Sequence, residues 1–155
     1  MLVRFLRWLL HLEGRSRMRL VFTEIRYGSD FTAKGDFGMN IDLELHEGDS
    51  VTLSVQPTHK GKPAAYQTGS AVWTESNEFV TVGPALNADG TPVEPAELSR
   101  TVTALAPKGV TAVSVTLDGD PGGGVVSITA AAAIAINLPA ADALDINAGP
   151  ITEAP

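Results

Sequence analysis

The residue types that do chemistry are sparse in this chain, and their spacing excludes most active sites. There is no cysteine, so thiolate nucleophiles, thiolate metal ligands and disulfides are all ruled out. The histidines His11, His46 and His59 are scattered and lack the close pairing from which zinc sites draw their ligands. No serine stands in a Gly-x-Ser-x-Gly turn, and none has a histidine near it in a recognisable pattern. Gly61-Lys62 runs into Pro63 where a phosphate-binding loop needs Ser or Thr. Residues 119–124 do not fit Gly-x-Gly-x-x-Gly and open no helix. The chain therefore reads as non-enzymatic, with no catalytic residue and no cofactor.

Two weaker candidates remain. Asp118 and Asp120 form the close acidic pair of a tight glycine-rich loop, and calcium takes carboxylate and carbonyl oxygens of that kind. The later ligands of a calcium-binding helix-loop-helix are missing, so a solvated Gly/Asp turn is the plainer reading. Tyr66, with Lys60 and Lys62, lies in a stretch rich in turn residues that could touch a glycan or a protein, or simply connect two strands.

Charge narrows the partners. The net charge of the 155 residues is −7, unevenly placed. The first 26 residues carry six Arg against Glu13 and Glu24, and the rest carries five basic and sixteen acidic residues. Nucleic-acid binding needs clustered Lys and Arg to neutralise phosphates, so an acidic body excludes it. Such a body favours solubility and could meet cations or basic surfaces. The length suits one domain.

Residues 1–13 have the spacing of a basic amphipathic helix, with Leu2, Phe5, Leu6 and Leu9 apolar and Arg4, Arg7 and His11 interleaved. The run is too short to span a membrane, and its arginines interrupt the apolar core that a signal peptide needs. Two readings stay open for residues 1–17. Either they form a helix that docks on a partner or lies on a membrane surface, the chain's one route to a membrane, or they are translated sequence upstream of a start at Met18. The expected organisation is this segment at 1–17, a sandwich domain at 18–148 and a disordered tail at 149–155.

From Asn40 onward the chain alternates apolar and polar residues, as half-buried strands do. Ile41, Leu43 and Leu45 alternate with Asp42, Glu44 and His46, and a Glu47-Gly48-Asp49 turn leads to Val51, Leu53 and Val55. The pattern predicts a hairpin there. Residues 56–70 read as a polar loop. A short strand carrying Trp73 follows, then one around 79–82, a long connection over 83–99 with a small hairpin at 87–90, and strands at 101–105 and 110–117. Trp73, Val113, Val115 and Ile128 are the expected core.

The last long segment alternates most strictly. Val126, Ile128, Ala130, Ala132, Ile134, Ile136 and Leu138 form an apolar row fit for the core. Ser127, Thr129, Ala131, Ala133 and Ala135 form a row of small residues. Alanine alone favours helix, but a sustained period of two with β-branched ends argues strand. Exposed strand faces usually carry charge that deters association. The uncharged row Thr129, Ala131, Ala133 and Ala135 is therefore the expected interaction surface, unless a loop such as 83–99 covers it. The segments read as strands make about seven, to which 144–146 could add a short last one, with no amphipathic crossover helices between them. That pattern predicts an all-β, immunoglobulin-like antiparallel sandwich with a short N-terminal helix outside it.

Three stretches together resemble a bacterial immunoglobulin-like domain of group 2. They are Gly48-Asp49-Ser50-Val51-Thr52-Leu53, then the run from Val72-Trp73 through Ser76-Asn77 to Val82, then the run from Val102 across Lys108-Gly109 to Val115, read as paired final strands. The resemblance spans roughly 41–136. The chain departs from it in the long 83–99 connection and in the glycine-rich loop and strand after Leu117. Small proteins of this kind are similar to tailed-phage proteins whose domains decorate virions. The resemblance implies a virion-associated structural or interaction module, a capsid decoration or tail protein, with self or virion proteins as partners. The alternative is an exported bacterial module at the cell surface or outside the cell, for adhesion or binding of cell-surface glycans.

Overall fold

A computed structural model describes residues 18–28, 31–122 and 124–138. The helix expected over 1–13, the short strand at 144–146 and the tail at 149–155 lie outside the described residues. Among those described, ten strands form two sheets facing each other across one core. The architecture is an all-β sandwich.

The first sheet contains β1 (Met18–Tyr27), β2 (Phe31–Lys34), β4 (Ser50–His59), β5 (Lys62–Pro63), β7 (Val80–Pro84) and β8 (Ser99–Ala104), in the order β2-β1-β4-β8-β7 with β5 hydrogen-bonded to β4. The second contains β3 (Asn40–Leu45), β6 (Val72–Glu75), β9 (Gly109–Gly119) and β10 (Val126–Ile136), in the order β3-β10-β9-β6. Its pairings are antiparallel except β3 with β10, which run parallel. The sandwich is thus not wholly antiparallel, and it has more than the seven strands expected.

Strand β1 does not advertise itself in the sequence. Leu20, Val21 and Phe22 are all buried in succession, which breaks the period of two. A bulge then shifts the register between Phe22 and Glu24. Phe22 faces the core on one side of the bulge and Ile25 on the other, so the inward row changes parity part-way along.

The expected hairpin between β3 and β4 does not form. β3 pairs with β10, while β4 lies in the other sheet between β1 and β8. Two strands with one apolar face each can bury those faces edge to edge in one sheet, or face to face across a core. The second arrangement holds here. The turn between them bonds to the end of β8 instead, with Gly48 N donating to Ala104 O and Ala104 N to Asp49 O, both at 2.9 Å. The strands on either side of Lys108-Gly109 also separate, β8 to the first sheet and β9 to the second. The first part of the expected 56–70 loop is strand: β4 turns into β5 through Lys60 (φ 51°) and Gly61 (φ 75°), two left-handed residues in a row. That is the conformation which keeps a two-residue hairpin twisted like its strands.

Val113, Val115 and Ile128 are buried together with Phe22, Leu20, Leu53, Leu117 and Ile134. Trp73 is not the central plug expected of it. It lies on β6, an edge strand, directly opposite Val115, and is half-buried where the sandwich opens. Its indole Nε1 donates to Glu97 O at 2.9 Å, tying that edge to the 3-10 turn Ala96–Leu98. Val126 and Leu138, expected inside, are 38% and 61% exposed at the two ends of the row.

The long connection does not cover β10. Its hairpin closes with Asn87 N donating to Thr91 O at 2.7 Å. Arg26 Nη2 reaches Leu86 O at 2.8 Å. The connection thus lies over the outer face of the first sheet, where hydroxyl pairs link β4 to β8: Ser50 with Thr103, Thr52 with Thr101 and Ser54 with Ser99, each within 2.9 Å. Thr52 and Ser99 are buried there.

These positions separate two aromatic contributions. Phe22→Ala removes a fully buried ring and should cost about 3–5 kcal/mol. Trp73→Ala should cost clearly less, and Trp73→Phe about 1 kcal/mol through loss of the indole hydrogen bond. Chemical denaturation of the three variants checks the order. A Trp73→Ala loss equal to or larger than that of Phe22→Ala would restore Trp73 as the centre of the core.

Candidate interaction surface

Burial along β10 alternates: Ile128, Ala130, Ala132, Ile134 and Ile136 are buried, and the residues between them face out. Because β10 is flanked on both sides, its outward row is the middle of a four-stranded face. Ala131 lies opposite Asn40 on one side and Ser114 on the other; Ala133 lies opposite Asp42 and Ala112; Ala135 lies opposite Glu44 and Val110. Thr129 faces Thr116, and beyond it β6 adds Val72 and Thr74. Thr129 and Ala133 are exposed, and Ala131 and Ala135 are half-buried by their neighbours.

Chemically the face is small, smooth and bordered by acid. Its hydroxyls bond one another, Thr116 with Thr129 and Thr74 with Ser114, both at 2.8 Å. Pairing of this kind lowers the cost of taking hydroxyls out of water. Val72 and Val110 stand 57% and 71% exposed on it. Neither Lys nor Arg occurs in the four strands, while Asp42 and Glu44 line the β3 edge. The side chains that could contact a partner are thus methyls, hydroxyls, the Asn40 amide and the carboxylates of Asp42, Glu44 and Asp118. The strand's sequence alone gives the alanine row; Val72, Val110 and the acidic border join it only through pairings that span many residues of chain.

Of the other candidates, Asp118 stands at one end of this face, in the outward row of β9 opposite Ser127, and the rest lie apart from it. Asp120 Oδ1 accepts the Gly122 N–H at 2.8 Å, capping its own loop, and Asp118 is half-buried with its backbone N–H donating to Ser70 Oγ at 3.0 Å. Among the described residues no three Asp, Glu, His or Cys side chains converge as a metal site would require. His46 bonds Asp49 at 3.2 Å in the turn before β4. Tyr66 lines a groove of about 440 Å³ with Glu24, Gln56, Pro57, Glu94 and Leu98. No protein-family model matches the sequence, and no curated protein matches it.

Two tyrosines report on the edges of the sandwich. Burial holds the Tyr27 phenol above its usual range, and the nearby Glu44 carboxylate adds to the shift. Burial likewise raises Tyr66, with a hydrogen bond to Glu97 and the charge of that carboxylate adding to it. A phenol whose folded pKa is raised keeps a proton that the unfolded chain releases. Its contribution to stability is complete below the unfolded value of 10.0 and is lost as pH rises through the folded value. Ultraviolet titration of the folded chain, which holds no tyrosines beyond these two, should give midpoints above 10. A midpoint at or below 10 for either, assigned with Tyr66→Phe, would contradict its placement.

Proposed function

We propose that this chain is a non-enzymatic, immunoglobulin-like module of the bacterial group 2 kind, that it serves a tailed-phage particle, and that the outer face of the second sheet recognises a protein partner. The observation that carries the reading is strand order. In an immunoglobulin sandwich one sheet runs A-B-E-D and the other C-F-G, with a Trp on strand C. With β1, β4, β6, β7, β8, β9 and β10 taken as A to G, the first sheet reads A-B-E-D along β1-β4-β8-β7 and the second reads G-F-C along β10-β9-β6. Trp73 then falls on strand C, though half-buried at an edge rather than plugging the core as the Trp of antibody domains does. β3 adds a second leading strand beside G. The sequence stretch around Trp73 favours the group 2 relationship, and the phage assignment follows from that resemblance.

A second reading, an exported surface module that binds glycans, is favoured by the groove at Tyr66. Its size is that of small-ligand sites, and an aromatic ring beside Glu24, Gln56 and Glu94 suits a sugar's apolar face and hydroxyls.

The two readings part on one pair of variants. Ala131→Lys with Ala133→Glu places charge in the middle of the exposed face, where substitutions change stability by about 0.5 kcal/mol or less. The expected result is an unchanged melting temperature and loss of co-sedimentation with particles of a phage that carries the gene. Retained particle binding would sink the face as the recognition surface. Binding to intact bacterial cells or immobilised glycans that Tyr66→Ala abolishes would establish the glycan reading instead.

A further inference from the structure

The long connection does not lie flush on the first sheet. Beneath the tip of its hairpin is a cavity of about 390 Å³, lined by Arg26, Ser50, Thr52, Thr101, Leu86 and Ala88 among others. We propose that this cavity binds a sugar acid, with the ligand's carboxylate on the Arg26 guanidinium and its ring hydroxyls on the hydroxyl ladder of β4 and β8. The cavity shares no lining residue with the groove at Tyr66 and lies on the opposite sheet from the alanine row, so it stands apart from both readings of function.

Charge is the first argument. In a chain with an excess of acid, the cavity lining holds one cation, Arg26, and no Asp or Glu. The guanidinium is half-buried and donates through Nη2 to Leu86 O at 2.8 Å, one of the five N–H bonds it can offer. The acids of the neighbouring elements are engaged elsewhere. Glu24, two residues before Arg26 on β1, pairs with Lys34 at 3.2 Å. Asp89 in the hairpin accepts the Thr91 N–H at 3.0 Å and the Thr91 hydroxyl at 2.6 Å. Among the described residues no carboxylate forms an ion pair with Arg26. A partly desolvated guanidinium whose acceptor is a carbonyl favours an anion, and its planar fork matches the two oxygens of a carboxylate.

The floor and roof supply the rest of the chemistry. Arg26, Thr52 and Thr101 stand in register across β1, β4 and β8. In the next rank Gly28 donates its N–H to Ser50 O and adds no side chain to fill the space. The hydroxyl pairs Thr52 with Thr101 and Ser50 with Thr103 each hold two protons and use one between their members. Each pair therefore keeps one proton, and lone pairs besides, for a ligand's hydroxyls. Leu86 and Ala88 form an apolar roof suited to the C–H surface of a sugar ring. The hairpin that carries them is held by its own bonds, Asn87 N to Thr91 O at 2.7 Å and Asn87 Nδ2 to Thr91 Oγ1 at 3.1 Å. A few placed polar groups under apolar cover, at this volume, make up a small-ligand site. A bare inorganic anion would leave the roof and the ladder unused.

The test uses the full chain and three probes, D-glucuronate, D-glucose and acetate, with NMR of the backbone amides and of the Arg26 side chain. Glucuronate is expected to give saturable shifts confined to Arg26, Thr52, Thr101 and residues 86–88. Glucose and acetate should each bind about tenfold more weakly or worse, since each offers half of the contacts. Arg26→Gln should weaken glucuronate about tenfold or more by removing the charge-assisted pair. That change also removes the tether to Leu86, so Ala88→Glu is the second variant: it keeps the tether, sets a competing carboxylate in the cavity, and should weaken binding likewise. Tyr66→Ala, and Ala131→Lys with Ala133→Glu, should leave glucuronate binding unchanged. Absent, unsaturable or scattered shifts overturn the site, as does binding indifferent to both cavity variants. Acetate as tight as glucuronate overturns the sugar, and glucose as tight overturns the role of Arg26. Loss of binding in Tyr66→Ala assigns the ligand to the other groove and overturns this one.

Discussion

β10 is paired with β9 along all eleven of its residues and with β3 along six, and that double pairing organises the molecule. A strand enclosed on both edges has no freedom of register, because a slip of one residue would turn its isoleucines to solvent and its outward row to the core. The inward row alternates in size as well as polarity. Ala130 and Ala132 lie between Ile128 and Ile134, and β1 packs across from β10 with the larger Leu20 and Phe22. Small residues facing large ones let the two sheets approach closely without leaving a void.

The outward row follows from the same pattern. Large or charged residues outside β10 would not disturb the core, so the run of Thr129, Ala131, Ala133 and Ala135 is not demanded by folding. The opposite sheet shows what a covered outer face looks like: its hydroxyl ladder lies under residues 85–98, and Thr52 and Ser99 are buried there. The second sheet has the same hydroxyl pairing and small side chains, yet Val72 and Val110 stand open on it. That asymmetry between two otherwise similar faces is the physical basis for treating one as a binding surface.

Individual strands were legible in the sequence wherever alternation was clean, as in β3, β4, β9 and β10. Which strand pairs with which was not. Leu43 and Leu45 look equally suited to lie beside Val51 and Leu53 or across from them, since alternation specifies a face and not a neighbour. The parallel contact of β3 with β10 joins residues about ninety positions apart in the chain, and no local signal announces it. β1 was hidden by its bulge, which shifts the parity of its inward residues. Trp73 was expected in the core because a Trp on a central strand is the usual plug of immunoglobulin-like sandwiches; on an edge strand it is half-buried and its N–H finds a carbonyl instead.

The account stands on the alanine-rich run being a strand held between β9 and β3. Cross-strand proton contacts by NMR read this directly. The account predicts close backbone contacts from Ala133 to both Ala112 and Asp42, in the antiparallel and parallel patterns respectively. Sequential helical contacts through residues 130–136, or contacts of Leu43 with Leu53 as neighbours in one sheet, would contradict it.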